Sequence, residues 1–154
     1  MSTITADSFT GLVSLALERM AFVVVEPASA TAAEVLARSV AHASIEVRGA
    51  EHYVVGVSAT PGMVREVAAG MMGLDAEDVD PDEHARATVA ELANIFAGEL
   101  VMLLTAGDSE LSLGLPEDLD DETAGLLLDA ANLHGFTSVL GCEGGSLSVS
   151  VRRG

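Results

Sequence analysis

The sequence predicts an α+β domain in which one mainly antiparallel sheet of about six strands carries helices packed on one face. Two observations lead to this fold class. Two stretches, 43–57 and 136–151, alternate apolar and polar residues on either side of short glycine-containing turns, as β-hairpins do. Between them, the stretches 60–73 and 80–106 place apolar residues at helical spacing. At 154 residues we expect a single domain covering residues 1–154.

The composition excludes several classes of partner. Hydrophobic residues make up 49% of the chain and charged residues 20%, which is typical of a well-buried globular protein. Aromatic residues are only 3%, so little is available for stacking on nucleic-acid bases. The net charge of −17 repels phosphate backbones and anionic lipids, so we expect no nucleic-acid and no membrane partner. This acidity suits either a partner with a basic patch or simply a very soluble protein.

Cysteine usage and the N-terminus indicate a reducing compartment. Cys142 is the single cysteine, which excludes an intrachain disulfide. The first residues lack the basic and apolar regions of a signal peptide, and no run approaches eighteen apolar residues. We therefore expect a cytoplasmic protein.

The chain opens with a predicted helix over 6–21, capped by Asp7 or Ser8 and carrying an apolar stripe. The β-branched run 22–25 then predicts a strand, which a glutamate and a proline close. The small, polar stretch 28–31 predicts a loop.

A hairpin and a second helix follow. The strands 43–48 and 52–57 are joined by a turn at Gly49. Thr60 is the predicted N-cap of a helix that ends near Gly73. Methionines on this helix either fill the core, which is the more common use, or present an adaptable binding surface; they are Met63, Met71 and Met72.

The longest helix is predicted to span 80–106. Asp80 suits the N-cap, Pro81 the first helical position and Glu83 the acid of a capping box, while Gly107 is a plausible stop. One stripe of this helix should pack on the core; it contains Ala85, Val89, Leu92, Phe96, Leu100 and Leu103.

The opposite face of the long helix carries a candidate site. Glu91, Asn94 and Gly98 are spaced i, i+3 and i+7, so they form one line. A carboxylate can bind a cation on a partner, an amide can orient a water, and a glycine lets another backbone approach closely. The competing interpretation is that such a pair arose by chance on a solvated helix face.

The last third returns to strands. The stretch 109–115 alternates and Pro116 ends it. Residues 123–132 fit a short helix or a strand, and 136–141 with 147–151 form a final hairpin. An acidic run is either a metal loop or, more commonly, a solvated turn before a helix N-terminus; it contains Asp118, Asp120, Asp121 and Glu122.

Self-contained chemistry is not supported by the motifs. The chain has no phosphate-binding glycine loop, no metal-ligand spacing and no serine in a nucleophile elbow, and its four histidines are scattered. We therefore expect no metal and no cofactor of its own. If the protein takes part in a reaction, we expect its side chains to complete a site on a partner protein.

With these elements in place, the chain resembles the CheC/CheX/FliY family of chemotaxis phosphatases, and in particular the single-site CheX-like domain. The resemblance is carried by the order of elements and by two segments. One is A-L-E-R-M-A-F-V-V-V-E-P in the first helix and strand, and the other is E-L-A-N-I-F-A-G in the long helix. The layout covers nearly the whole chain, but the functional residues lie only in the second segment.

The resemblance implies a function. Such proteins accelerate loss of the aspartyl phosphate from phosphorylated CheY-like response regulators. Glu91 resembles the acid that contacts a lysine of the regulator, and Asn94 resembles the amide that positions the attacking water. Gly98 would allow close docking. The phosphorylated aspartate and the Mg²⁺ would belong to the regulator, and a homodimer is expected.

Two positions distinguish this chain within the family pattern. Family members often carry Asp or Ser one turn before the glutamate, where this chain has Ala87 with Thr88 beside it. In the first helix, Glu18 is followed three residues later by Ala21, which predicts no second site. Ala87 favours the alternative of a non-catalytic module that binds a regulator or another signalling protein. A third hypothesis is a structural domain with a fortuitous motif.

Overall fold

The computed structural model describes residues 4–105 and 111–154. Within them, helices and strands alternate in irregular order along the chain. They are α1 (Ala6–Ala21), β1 (Glu26–Pro27), α2 (Ala32–Arg38), β2 (Ala41–Arg48), β3 (Tyr53–Ala59), α3 (Pro61–Met72), a 3-10 turn (Ala76–Asp78), α4 (Pro81–Thr105), β4 (Ser112–Leu113), β5 (Glu117–Leu119), α5 (Asp121–His134), β6 (Gly135–Gly141) and β7 (Ser146–Arg153).

The described strands form one antiparallel sheet in the order β1-β6-β7-β3-β2-β4, with β5 also paired to β2. The central register places Ile45 opposite Val55 and Val55 opposite Val151. The sheet has seven described strands, whereas about six were expected. Three of the seven, β1, β4 and β5, are only two or three residues long. The predicted α+β class with an antiparallel sheet is confirmed.

Helices cover both faces of the sheet, whereas the sequence predicted one. Side chains alternate across a pleated strand, so Val55 and Val57 face the core while Gly56 faces the opposite way. A Cβ at Gly56 would lie 2.6 Å from Cδ2 of Leu127 in α5. The inner face therefore packs on α1, α3 and α4, and the outer face lies beneath α5 with α2 beside it. The outer layer was missed because its buried strand residues are small and polar, as in solvent-facing positions: Ser44, Ser58, Ser148 and Ser150.

The bounds of α1 match the predicted helix 6–21, but the predicted cap, Asp7 or Ser8, was wrong. Thr5 is the N-cap, and its hydroxyl accepts a hydrogen bond from the backbone N–H of Ser8, which completes a capping box. At the other end Phe22 adopts φ 57°, a left-handed conformation that terminates the helix. The predicted strand 22–25 is therefore wrong: these residues belong to no strand, and pairing begins only at β1.

The short helix α2 was not predicted. The sequence indicated only a loop over 28–31 before the hairpin. Thr31 caps α2 by accepting a hydrogen bond from the Glu34 N–H, and Val35 is the residue that the helix buries. Seven residues give too little periodicity for a sequence pattern to separate such a helix from a loop.

Thr60 is the N-cap of α3, as predicted, but its hydroxyl bonds to the β6–β7 turn rather than to its own helix. It accepts from the Ser146 N–H at 3.0 Å and donates to the Ser146 carbonyl at 3.2 Å. The prediction that the methionines of α3 fill the core is correct only in part. Met63 is fully buried, Met71 is half-buried and Met72 is 44% exposed.

The long helix α4 matches its prediction closely. The Asp82 N–H donates to the Asp80 carboxylate at 3.0 Å, as expected for an N-cap. The inward stripe is buried through Leu100, and Leu103 is half-buried against the core. Its predicted end at 106 and stop at Gly107 lie outside the described residues. Among the described helices, α4 is the one long and apolar enough to cross a membrane, and here its apolar side packs on the sheet.

The C-terminal third settles the open alternatives. Residues 123–132 belong to a helix, α5. Of the strand predicted over 109–115, the structure pairs β4 with β2, while 109 and 110 lie outside the described residues. The final hairpin is confirmed, with β6 pairing β7 along its length.

Candidate active site

The outward line on α4 is present in the structure. Ala87, Glu91 and Asn94 are exposed, and Gly98 is half-buried. The residues between them point the other way, since Leu92 and Phe96 are fully buried. The helix therefore separates a core-packing side from a solvent-facing side, as the spacing predicted.

The line is held on a rigid support. α4 packs on β2 and β3 and against α3 and α1, so its position is fixed by the main core. Positions on a helix locked by core packing are held more tightly than positions on a loop. Glu91 and Asn94 are three residues apart, so they lie one above the other on neighbouring turns.

The polar groups of Glu91 and Asn94 are uncommitted. Within residues 4–105 and 111–154, neither side chain has a hydrogen bond or an ion pair. The carboxylate offers acceptors to a cation, and the amide offers both donors and an acceptor. Both groups are thus available to an incoming protein.

Gly98 leaves a gap on the same side of the helix. A Cβ built there meets nothing within 4 Å, so the fold itself does not require glycine at this position. Glycine in a helix interior costs about 1 kcal/mol relative to alanine. A glycine that the fold does not need is consistent with a surface that another molecule approaches closely.

Ala87 presents no polar group, and its neighbour cannot replace one. Thr88 is 7% exposed and lies on the inward side of α4. One turn before Glu91, the exposed face is therefore apolar.

The counterpart on α1 is blocked. Glu18 is exposed, but Ala21 is only 1% exposed. A Cβ at Gly70 of α3 would lie 1.6 Å from the Ala21 carbonyl oxygen, which shows how closely the two helices meet. The position matching Asn94 is buried against α3, in agreement with a single outward pair on α4.

Sequence reasoning missed one polar constellation. His42 Nδ1 lies 2.7 Å from Ser58 Oγ, and His42 Nε2 lies 2.8 Å from Asp121 Oδ1. In the neutral imidazole, Nε2–H donates to the carboxylate, so Nδ1 accepts from the serine hydroxyl. These residues are 16 and 79 positions apart, so no local pattern could reveal them.

The residue types match a serine hydrolase triad, but the surroundings do not. Ser58 is 6% exposed and His42 is 3% exposed. The cavity beside Ser58 has about 10 Å³, room for at most one water. A substrate carbonyl cannot reach the hydroxyl, so the constellation ties β2 and β3 to the first turn of α5.

Two residues of the acidic run have partners within the chain. Asp118 accepts from Arg86, with Nη2 to Oδ2 at 2.5 Å, and Asp120 N-caps α5 by accepting from the Thr123 N–H at 2.7 Å. Hydrogen bonding from the Thr123 side chain, and then from its backbone N–H, holds the pKa of Asp120 below its usual value. In the part of the chain that the structure describes, no three His, Cys, Asp or Glu side chains are grouped to hold a metal ion. The solvated-turn interpretation is therefore supported.

Comparison with known proteins assigns the family. The model of the family described as chemotaxis phosphatase CheX matches residues 41–132, more than half of the chain and including all of α4. The chain therefore belongs to the CheX family of chemotaxis phosphatases. No curated protein matches the sequence.

Solved structures show the same fold at low identity. CheX from Vibrio vulnificus is 14% identical with a TM-score of 0.69, covering 97% of this chain and 95% of that one. A CheC-like superfamily protein from Shewanella sp. PV-4 is 15% identical with a TM-score of 0.68, covering 98% and 99%. The CheX of a CheX–CheY–BeF3–Mg complex from Borrelia burgdorferi is 16% identical with a TM-score of 0.64, covering 96% of each chain.

Proposed function

We propose that this protein accelerates hydrolysis of the aspartyl phosphate on a CheY-like response regulator. Asn94 positions the attacking water and Glu91 binds a cationic side chain of the regulator. The observation that carries the proposal is the exposed, uncommitted pair on a core-locked helix, in a chain of the CheX family. The complex of a Borrelia burgdorferi CheX with CheY supports the choice of partner.

The chemistry suits an amide. Phosphoryl transfer needs the attacking oxygen and the leaving oxygen in line, and most of the catalysis is positioning and charge stabilisation. The Asn94 carbonyl can accept a hydrogen bond from a water and aim its lone pair, although it is no base. The phosphorylated aspartate and the Mg²⁺ that neutralises the developing charge belong to the regulator. This chain contributes the group that positions the attacking water.

The surface charge fits such a partner. The chain carries −17 overall, and the Glu91 carboxylate contacts no cation within residues 4–105 and 111–154. A regulator that offers a positive group at the docking face would be attracted and oriented.

We also propose that the protein acts in the cytoplasm as a homodimer, without nucleic-acid or membrane partners. Sedimentation velocity tests the dimer.

The second candidate is a binding module without hydrolysis. It is favoured by the apolar Ala87 on the exposed face, with Thr88 buried beside it. In this case the Glu91 face would dock a regulator and leave its phosphate intact.

Phosphate release from a phosphorylated receiver domain of the same genome separates the two functions. We expect Glu91→Ala to raise the concentration needed for half-maximal rate. We expect Asn94→Ala to lower the rate at saturation by about 10²-fold, the loss expected when a reacting group is misplaced by about 1 Å. Receiver binding without release by the wild-type protein would favour the module.

Matched controls exist on α5, on the other face of the sheet. Asn132 and Glu122 are exposed there, so Asn132→Ala and Glu122→Ala remove the same chemical groups away from the proposed site. We expect both controls to retain wild-type kinetics. If Asn132→Ala lost as much rate as Asn94→Ala, the assignment of the water-positioning role would be wrong.

A further inference from the structure

The outer face of the sheet is left open at one end. There a cavity of about 700 Å³ lies between α5, the outer side of β2, β3 and β7, and the segment 114–119. α5 covers the small residues of the outer face, but beyond Ser44 and Ser150 the strands carry larger side chains and the helix does not close over them. The cavity is on the opposite side of the sheet from Glu91 and Asn94.

One side of this cavity is apolar and exposed to solvent. Leu115 is 86% exposed and Leu126 is 63% exposed, and both line it together with Leu127 and Ala130 of α5. Val54 of β3, which is buried, also contributes to the lining. Two exposed leucines at one concave place mark a binding surface more strongly than single leucines spread over a surface.

Arg152 supplies a cation to the same cavity, and its charge is close enough to Glu46 to help lower the pKa of that carboxyl. On the outer face it sits across β3 from Glu46, with Val54 between them, because Arg152 pairs with Val54 and Val54 pairs with Glu46. Its Nε is buried without a hydrogen-bond partner. Within residues 4–105 and 111–154, the side chain has no ion pair either. Buried donors on charged groups are nearly always hydrogen-bonded, so an acceptor placed beside Arg152 would be favourable.

The acids that line the cavity do not supply that acceptor. The Glu46 carboxylate is bound by Arg48, whose Nε donates to Oε2 at 2.7 Å, and this bond holds the pKa of Glu46 below its usual value. Glu117 is exposed, and its carboxylate contacts no cation among the described residues.

We propose that this cavity binds a small amphipathic anion, a carboxylate with an apolar body. The carboxylate accepts from the Arg152 guanidinium, and the body lies on Leu115 and Leu126. The volume of about 700 Å³ falls in the range of about 300–1,000 Å³ that small-molecule sites occupy. This inference stands apart from the proposed phosphatase function, because no residue of the cavity belongs to the α4 face.

The test is isothermal titration calorimetry with three ten-carbon probes that share a tail. They are decanoate, decanol and decyltrimethylammonium, the two ions used below their micellar concentrations and decanol below its solubility limit. We expect decanoate to bind one per chain, decanol to bind more weakly, and the cationic probe to bind weakest. Arg152→Met should weaken decanoate at least tenfold and leave decanol unchanged, since hydrogen bonds to a charged group are lost only for the acid.

Control variants distinguish binding in the cavity from non-specific binding to the protein surface. Arg38→Met removes an exposed arginine from α2, and Leu133→Asp alters a 77% exposed leucine on α5; neither residue lines the cavity. Both should bind decanoate like the wild type, whereas Leu126→Asp should weaken decanoate and decanol together. Circular dichroism and thermal unfolding confirm that each variant is folded.

Three results would overturn the inference. One is wild-type protein that does not bind decanoate, and another is Arg152→Met that binds it equally well. The third is a cavity that is covered by another chain. Sedimentation velocity would then show a dimer that Leu126→Asp dissociates, and the wild type would bind no decanoate. In that case a second copy of the chain covers the leucines.

Discussion

Gly98→Ala offers a prediction in which stability and function move in opposite directions. Gly98 lies inside α4, and a Cβ there meets nothing within 4 Å. The free protein therefore gains the helix propensity of alanine, about 1 kcal/mol, without a steric cost. For a chain of this size, a gain of about 1 kcal/mol raises Tm by about 2–4 °C.

The same methyl group should hinder the partner. If the regulator's backbone packs against Gly98, an added methyl at that contact costs about 1–3 kcal/mol. The concentration of protein giving half-maximal dephosphorylation should then rise about fivefold or more. The rate at saturation should change little, because Asn94 is untouched.

Gly125→Ala is the matched control. Gly125 lies inside α5, and a Cβ there also meets nothing within 4 Å. It should gain the same stability and keep wild-type kinetics. Thermal unfolding and the dephosphorylation assay on the two variants complete the comparison. A destabilised Gly98→Ala would show that the exposed face is not open, and unchanged kinetics would place Gly98 outside the docking surface.

Three further predictions concern the fold. Gly70→Ala should destabilise the protein, opposite in sign to Gly98→Ala, because its Cβ would lie 1.6 Å from the Ala21 carbonyl oxygen; equal or greater stability in urea unfolding would contradict that packing. Leu92→Ala should cost about 2–5 kcal/mol in the same measurement, and less than about 1 kcal/mol would show that the inward stripe is not core. Burial, then the bond to Glu51, raises the pKa of Tyr53, the single tyrosine, to about 12. Because the folded pKa lies above the ordinary 10.0, this stability is present below pH 10 and is lost as pH rises through 12; a spectroscopic midpoint near 10 would refute the burial.

The inner half of the fold was predictable because its signals are local. α4 has 25 residues, an N-cap at Asp80 and an apolar stripe at a constant spacing, so periodicity alone defined it. The β6–β7 hairpin alternates cleanly around a glycine turn. In both cases the residues that decide the structure lie within a few positions of one another.

The outer half depends on contacts between distant residues. Ser44, Gly56 and Ser150 look like solvent-facing positions, and only the placement of α5 buries them. The short α2 is held by tertiary packing rather than by propensity. Such burial has no signature along the chain.

The same division applies to the polar sites. Glu91 and Asn94 could be proposed from the sequence because they are three residues apart on one helix. His42, Ser58 and Asp121 come together only when β2, β3 and α5 are assembled. The roles proposed for Glu91 and Asn94 remain predictions that kinetics must test.

The most direct test of the central claim is the rate of phosphate loss from a phosphorylated receiver domain saturated with Asn94→Ala. Alanine favours the helix by a few tenths of a kcal/mol over asparagine, and Asn94 is exposed, so the variant should fold at least as stably as the wild type. We predict that it binds the receiver but leaves the phosphate close to its intrinsic lifetime, while the wild type shortens that lifetime. A saturated Asn94→Ala complex that loses phosphate at the wild-type rate would contradict the account.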